Sequence, residues 1–223
     1  MVGEQSGRVT QFNLSSGLLV RPLPSHKSEI IGLALIWSAA TCKMRTAVAG
    51  RPTVKQTREE VVHGALVVSA SADRVLHVSS VRQGSLLATF QIGKGDLSSL
   101  ATSTNTGMVA AGSSTGALSL WKLIEAGAIR HDSRCEGHTA EVTGLAFLAD
   151  RLLLVSADAQ TEMVLWRVAP LKCTPLCRWR HRSPNGPINS PISHSVVTAL
   201  TYEADRHMLL TGDESGSINV WRL

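Results

Sequence analysis

The sequence predicts an all-β fold, and two observations carry that prediction. A short pattern occurs five times, in which a small-residue turn is followed by alternating apolar residues and then by an aromatic residue or its replacement. The last position is occupied in chain order by Phe12, Ser79, Trp121, Trp166 and Trp221, at spacings of 67, 42, 45 and 55 residues. Period-two alternation is typical of β-strands, and units of about 40–45 residues made of short strands are typical of β-propeller blades.

The elements within each unit follow from its turns and its apolar runs. Gly, Ser and Asp in the turns favour tight hairpins. The runs just before the turns predict a second strand at Leu66–Ser69, Met108–Ala111, Leu152–Ser156 and Met208–Thr211. The runs further upstream predict an inner strand at Ile30–Ile36, Leu97–Thr102, Val142–Phe147 and Val196–Tyr202. An outer strand is clearest at Leu86–Ile92, so we expect four antiparallel strands per unit and about 18 strands in all.

The composition indicates a globular protein that works inside the cell. Hydrophobic residues make up 43% of the 223 residues, and the net charge of +5 is modest for this length. The longest nearly apolar stretch, Ile30–Cys42, is too short to cross a bilayer, and Met1–Gln5 does not read as the start of a signal peptide. Four scattered cysteines are too few for a disulfide scaffold, so we expect reduced thiols. These features predict a cytoplasmic or nuclear location without a membrane partner.

Two segments carry a resemblance to a known family. Gly137–Phe147 reads GHTAEVTGLAF and Leu209–Trp221 reads LLTGDESGSINVW, and both resemble WD40 repeats. The resemblance extends over nearly the whole chain, although no copy has the Trp-Asp dipeptide of the family. It implies a WD40-like β-propeller of about four to five four-stranded blades. Rings of this family resemble platforms whose rims and loops hold partners in multi-subunit complexes.

The resemblance also assigns structural residues within the blades. In the family a His, a turn Asp, a Ser or Thr and the Trp form a hydrogen-bonded network. The family pattern assigns these roles to His138, Ser156, Asp158 and Trp166. Elsewhere the matching positions hold only part of the set, namely His26, Asp73, Trp121 and Trp221. We therefore expect a full network in at most one blade, with the other blades held by packing.

The chain is predicted to form one propeller segment over residues 1–223, interrupted by an insertion loop at 38–63 and an inter-blade loop at 180–194. We expect an incomplete ring, because Leu223 follows a third strand while Met1–Gly3 lies at the end of a second. A seven-bladed ring needs about 28 strands. We therefore expect the chain to be the C-terminal part of a longer propeller, or a shortened form of one.

Two basic segments are the candidate partner-binding residues. The insertion loop carries Lys43, Arg45, Arg51, Lys55 and Arg58, and long loops in compact domains are often functional. The second segment contains Arg178, Trp179, Arg180 and Arg182. Such residues can bind an acidic protein surface, or RNA through phosphate contacts and stacking. The alternative for the second segment is that Trp179 packs in an outer strand while the arginines face water.

Catalytic and metal chemistry is not favoured by any motif. Gly112–Gly116 matches the G-x-S-x-G pattern of hydrolases, but it falls in a hairpin turn rather than the strand-to-helix turn that the chemistry needs. Cys173, Cys177 and His181 are four residues apart, about 13 Å along a strand. We find no Ser/His/Asp set and expect no metal, cofactor or small-molecule substrate. The function predicted is a non-catalytic protein-interaction scaffold, with an RNA-contacting propeller as the alternative.

Overall fold

The computed structural model describes residues 1–38, 64–92, 95–123, 129–148, 152–169, 172–182 and 195–222. The regular structure of these residues is entirely β, as the sequence predicts. The 18 strands are β1 Val2–Gly3, β2 Val9–Phe12, β3 Leu19–Leu23, β4 Ile30–Ser38, β5 Gly64–Ser71, β6 Val75–Ser80, β7 Leu86–Gln91, β8 Leu97–Ser103, β9 Met108–Ser113, β10 Leu118–Leu123, β11 Ile129–Cys135, β12 Val142–Leu148, β13 Leu153–Asp158, β14 Glu162–Ala169, β15 Lys172–Arg180, β16 Val197–Glu203, β17 Met208–Asp213 and β18 Ile218–Arg222.

The strands form five antiparallel sheets in chain order. Sheet A contains β1–β3, sheet B β4–β7, sheet C β8–β11, sheet D β12–β15 and sheet E β16–β18. The first strands of sheets B to E contact one another in order, β4 with β8, β8 with β12 and β12 with β16. The five sheets form an open series rather than a closed ring, which confirms the prediction of an incomplete propeller.

The cores lie between successive sheets because the side chains of each strand alternate between two covered faces. In β5, Val67 packs with Val9 and Leu23 of sheet A, whereas the next residue, Val68, packs toward Val109 of sheet C. Strands with a sheet on both sides are therefore buried along their whole length, as β9 is. In β18 one face lacks a covering sheet, and burial alternates residue by residue.

Two glycines fix how hairpin turns meet the neighbouring loops. Gly7 and Gly116 have φ angles of +80° and +83°, which other residues rarely adopt. A Cβ atom at Gly7 would lie 2.5 Å from the carbonyl oxygen of His26, and one at Gly116 would lie 2.5 Å from that of His138. Each turn can therefore contact the loop that carries the histidine only because the turn has a glycine, which has no side chain, at the point of contact.

The prediction of reduced cysteines is wrong for two of the four. A disulfide joins Cys135 of β11 to Cys173 of β15, with Cα atoms 5.3 Å apart. These are the fourth strands of sheets C and D, which lie side by side. The prediction failed because sequence spacing does not reveal which edge strands of different sheets are neighbours. Cys177 is exposed and free, and Cys42 lies outside the described residues.

Candidate functional site

Sheet D contains a connected set of four buried polar side chains. His138 precedes β12, Ser156 and Asp158 end β13, and Trp166 lies on β14. Nδ1 of His138 is 2.8 Å from Oδ2 of Asp158, and its Nε2 is 2.6 Å from the hydroxyl of Ser156. The indole Nε1 of Trp166 donates to the same hydroxyl at 2.7 Å. The set joins the loop before the sheet to its second and third strands.

The direction of each hydrogen bond follows from the carboxylate. Asp158 can only accept, so Nδ1 of a neutral His138 carries the proton and Nε2 accepts from Ser156. The Ser156 oxygen in turn accepts from Trp166. Asp158 also receives the backbone N–H groups of Gln160 and Glu162, each at 2.9 Å. Every donor in the chain of bonds therefore has an acceptor, which is what a buried polar network needs to be stabilising.

This arrangement has the residue types of a hydrolytic triad, and its members are residues that the family resemblance assigned to a structural network. However, Ser156 and Asp158 are each 0% exposed, and Trp166 donates its N–H to the Ser156 oxygen that would attack a substrate. A nucleophile needs access to its substrate, and this hydroxyl has none. The physical role of the set is to hold the blade together.

Three potential metal-ligand residues lie at the same place. Ligand atoms of His138, Asp158 and Glu162 are within 4.8 Å of one another. Both ring nitrogens of His138 are already bonded within the network, and Glu162 forms an ion pair with Arg178 at 3.1 Å. The hydrogen-bonded network therefore explains why these groups are close without invoking a metal ion.

A second network occurs in sheet E, where none was expected. Nε2 of His181 lies 3.1 Å from the hydroxyl of Thr211, which also accepts from the indole of Trp221 at 3.1 Å. The turn residue is Asp213, whose Oδ2 is 3.8 Å from Nδ1 of His181. That separation is too long for a hydrogen bond, so this copy holds the residue types of the set without its His–Asp bond. Asn219 adds a bond from its amide nitrogen to Nε2 of His181 at 3.0 Å.

The sequence contained a signal for this second network. Thr211, Asp213 and Trp221 repeat the spacing of Ser156, Asp158 and Trp166. The set was missed because its histidine is not next to the first strand of the sheet: residues 183–194 separate His181 from β16. Burial lowers the pKa of His181, with Asp213 opposing that shift. Burial also pushes the pKa of Asp213 upward, but hydrogen bonds, led by that from Ser215, outweigh it and leave the pKa below its usual value.

Sheet B has a different arrangement at the same place. Nε2 of His26 is 2.8 Å from the hydroxyl of Ser69, and its Nδ1 is 3.6 Å from Oδ1 of Asp73. The tryptophan position is Ser79, and the imidazole of His77 stacks on that of His26 with ring centroids 3.9 Å apart. In sheet B the network histidine therefore stacks on a second histidine, which holds the register position of Val164 in sheet D.

Sheet C has a tryptophan at the same position, and the sequence just before its first strand, residues 92–96, contains no histidine. Trp121 is 4% exposed and packs in the core shared with sheet B. The motif at Gly112–Gly116 spans the last two residues of β9 and the turn that leads to β10. There Ser114 accepts a hydrogen bond from the backbone N–H of Asp96 at 3.0 Å. The turn joins two strands, so it lacks the strand-to-helix geometry of a nucleophile elbow.

Two residues of the second basic segment, Arg178 and Trp179, make contacts within the protein. Arg178 donates to the Gly137 carbonyl at 2.8 Å and pairs with Glu162. The ring of Trp179 contacts that of Trp221 with centroids 6.1 Å apart. Arg180 and Arg182 are exposed. The basic residues of the insertion loop, which are Lys43, Arg45, Arg51, Lys55 and Arg58, lie outside the described residues.

Comparison with known proteins identifies the repeat and the fold. Residues 131–167 and 185–222 match the family model of the "WD domain, G-beta repeat". Among solved structures 1180 chains match, so the fold is widespread. One of them is a chain of the "Crystal Structure of Mitotic Checkpoint Complex", with a TM-score of 0.68 and 17% identity. The match covers 99% of this chain but 57% of that one. At this identity the likeness shows the fold alone.

No curated protein matches the sequence. Among the described residues, no helix is long and apolar enough to span a bilayer.

Proposed function

From a chain that carries WD40 repeats and folds as an open series of propeller blades, we infer that this protein is a non-catalytic protein–protein interaction scaffold. It presents its loops to partners in a multi-subunit complex. The observation that carries this proposal is the burial of its reactive groups. His138, Ser156 and Asp158 are buried and bonded to one another in a structural network, so this set offers no accessible nucleophile to a substrate.

A cavity between two of the sheets is too small for a small-molecule ligand. A gap of about 10 Å³ lies between sheets B and C and is lined by apolar side chains such as Val68, Phe90 and Trp121. That volume is at the lower limit for a single water molecule. We therefore place recognition on the exposed surface of the described residues, and in particular on their loops and turns.

Backbone hydrogen bonds hold these loops in place at one end of the sheets. The loop before β4 bonds to the following turn through Ala72 N–H and the Glu29 carbonyl, at 3.0 Å. The same link recurs in sheet D between Ala159 and Glu141, at 2.8 Å. Exposed charged side chains project from this end of the sheets, namely Glu4, Lys27, Arg74, Asp96, Glu141 and Glu214. A surface held rigid before binding loses less entropy when a partner docks.

The charges near the second basic segment favour a protein partner over RNA. Arg178 is paired with Glu162, and the exposed Glu136 and Glu141 lie in the loop beside it. A phosphate backbone would be repelled by these carboxylates, whereas a protein surface of mixed charge would match them. We therefore keep RNA contact as an outcome of the test rather than as a second proposal.

We further propose that residues 1–223 act as one propeller segment, interrupted at 38–63 and 180–194, in the cytoplasm or the nucleus. The unbroken order of the five sheets along the chain supports a single segment. Cell fractionation tests the location, and recovery of the native protein in the secretory pathway would contradict it.

The scaffold proposal is tested by affinity purification from native cells with mass spectrometry. The baits are the full chain, a variant whose residues 39–63 are replaced by a Gly/Ser linker, and an R180A/R182A variant. We expect the full chain to retain a reproducible set of proteins after ribonuclease treatment and at raised salt. Loss of that set from the linker variant would place the contact in the insertion loop.

Two results would overturn the scaffold proposal. One is the absence of any partner that survives ribonuclease. The other is recovery of RNA with a steep dependence on salt that weakens in the R180A/R182A variant, since each phosphate contact releases counterions. The second result would establish the RNA-contacting alternative.

A further inference from the structure

The junction between sheets A and B contains a pair of stacked imidazoles. The rings of His26 and His77 lie with centroids 3.9 Å apart and planes inclined by 19°. The side chain of His26 is 0% exposed, and Nδ1 of each ring is buried without a hydrogen-bond partner. His77 takes the register position of Val164 in sheet D, because it lies opposite Ser69 as Val164 lies opposite Ser156.

His26 belongs to the loop that connects the two sheets and contacts both. Its backbone N–H donates to the Gly7 carbonyl of sheet A at 2.8 Å, while its ring binds Ser69 of sheet B. The next residue, Lys27, donates its N–H to Oδ2 of Asp73 at 2.9 Å. Displacement of the His26 ring would therefore disturb the links on both sides of the loop.

This junction has little apolar support. The core between sheets A and B has three buried members, which are Val9, Leu23 and Val67. The clusters between sheets B and C and between sheets C and D each have 12 within the described residues. With so few apolar contacts, the polar loop contributes a larger share of the stability here than at those junctions.

The surroundings of the pair disfavour a positive charge. Asp73, in the turn between β5 and β6, is the charged group that acts on both rings. The other groups that meet the pair are uncharged: the Gly7 and Pro24 carbonyls, the Ser69 hydroxyl from β5 and Thr89 of β7, opposite His77. Burial, followed by the neighbouring His77, lowers the pKa of His26 to about 4 despite Asp73. Burial likewise lowers the pKa of His77.

We propose that the stacked His26–His77 pair makes the junction between sheets A and B sensitive to acid. Both rings are neutral in the closed junction, and protonation of either ring places a charge in a buried stack. The protonated state opens the loop before β4 and releases sheet A from sheet B. The other junctions lack a stacked imidazole pair within the described residues, so this response is local to one end of the sheet series.

The test compares two equivalent amides in the full chain by hydrogen exchange. Ala72 N–H reports the loop of sheet B and Ala159 N–H that of sheet D, since they bond to the Glu29 and Glu141 carbonyls. After correction for intrinsic rates, we expect exchange at Ala72 relative to Ala159 to rise about tenfold between about pH 7.5 and about pH 5. A ratio that does not change with pH would overturn the proposal.

A double variant tests whether the imidazole stack is the cause. H77V/S79W copies the sheet D residues Val164 and Trp166 at the same register positions and should make the ratio independent of pH. H207N removes an exposed histidine and should respond as the wild type does. An unchanged acid response in H77V/S79W would also refute the proposal. If that variant does not fold, ring titration by NMR decides, because a His26 ring that titrates near the ordinary histidine pKa of 6.5 refutes the proposal.

Discussion

The indole nitrogen of Trp166 lies 2.7 Å from the hydroxyl oxygen of Ser156. The bond crosses from β14 to β13, and the same oxygen lies 2.6 Å from the ring of His138 in the preceding loop. One serine hydroxyl therefore joins three parts of sheet D. Trp166 is 1% exposed and Ser156 is 0% exposed, so water cannot replace either bond.

Replacement of Ser156 by alanine should destabilise the protein markedly. The variant leaves the Trp166 N–H and the His138 Nε2 buried without partners, and each unsatisfied buried group costs about 1–3 kcal/mol. We expect the free energy of unfolding to fall by about 2–4 kcal/mol in urea titrations. The exposed Ser15→Ala variant is the control and should change it by less than about 0.5 kcal/mol. Equal effects of the two variants would contradict the proposed role of Ser156.

The looser network of sheet E should respond less to the equivalent change. The hydroxyl of Thr211 is 3.1 Å from both Trp221 and His181, and Trp221 is only partly buried. Water can reach part of this network, so we expect Thr211→Ser, which keeps the hydroxyl, to cost less than about 1 kcal/mol and Thr211→Ala about 1–2 kcal/mol. A cost for Thr211→Ala above that of Ser156→Ala would reverse this order.

The repeat made much of the architecture predictable, because period-two alternation and turn residues are local features. The strand predicted at Leu86–Ile92 is β7, Leu86–Gln91. Features formed between distant segments were missed. His181 is separated from its strand by an inter-blade loop, and Cys135 and Cys173 meet because fourth strands of adjacent sheets are neighbours. The stack of His77 on His26 likewise arises from a loop folding onto β6, which no periodicity encodes.

The disulfide between Cys135 and Cys173 should stabilise the oxidised protein. It closes a segment across a sequence separation of 38 residues, and such cross-links contribute about 2–4 kcal/mol by restricting the unfolded chain. The C135A/C173A variant should therefore unfold at lower urea under oxidising conditions and match the wild type more closely under reducing ones. Cys177→Ala is the control, because Cys177 is free and exposed. An identical effect of reductant on both variants would argue against the bridge.

Stability should fall on acidification in a range set by His26. Burial lowers its pKa from the ordinary histidine value of 6.5 to about 4 in the folded protein, so the folded state favours the neutral ring. The stability associated with His26 is present above about pH 6.5 and is lost as the pH falls toward 4, by up to about 3 kcal/mol. His26→Gln should flatten this part of the curve of unfolding free energy against pH. A variant curve parallel to that of the wild type from about pH 7 to about pH 4.5 would exclude this assignment.

Gly116 and Gly216 provide a matched pair that separates backbone strain from contact between sheets. Their φ angles are +83° and +79°, so alanine at either position costs about 1–3 kcal/mol from the left-handed conformation alone. A Cβ at Gly116 would in addition lie 2.5 Å from the His138 carbonyl, whereas one at Gly216 meets nothing within 4 Å. We expect Gly116→Ala to lower the free energy of unfolding by about 1–3 kcal/mol more than Gly216→Ala, because the loop of sheet D must move. Equal losses in urea titrations would mean that the turn of sheet C does not pack against that loop in solution.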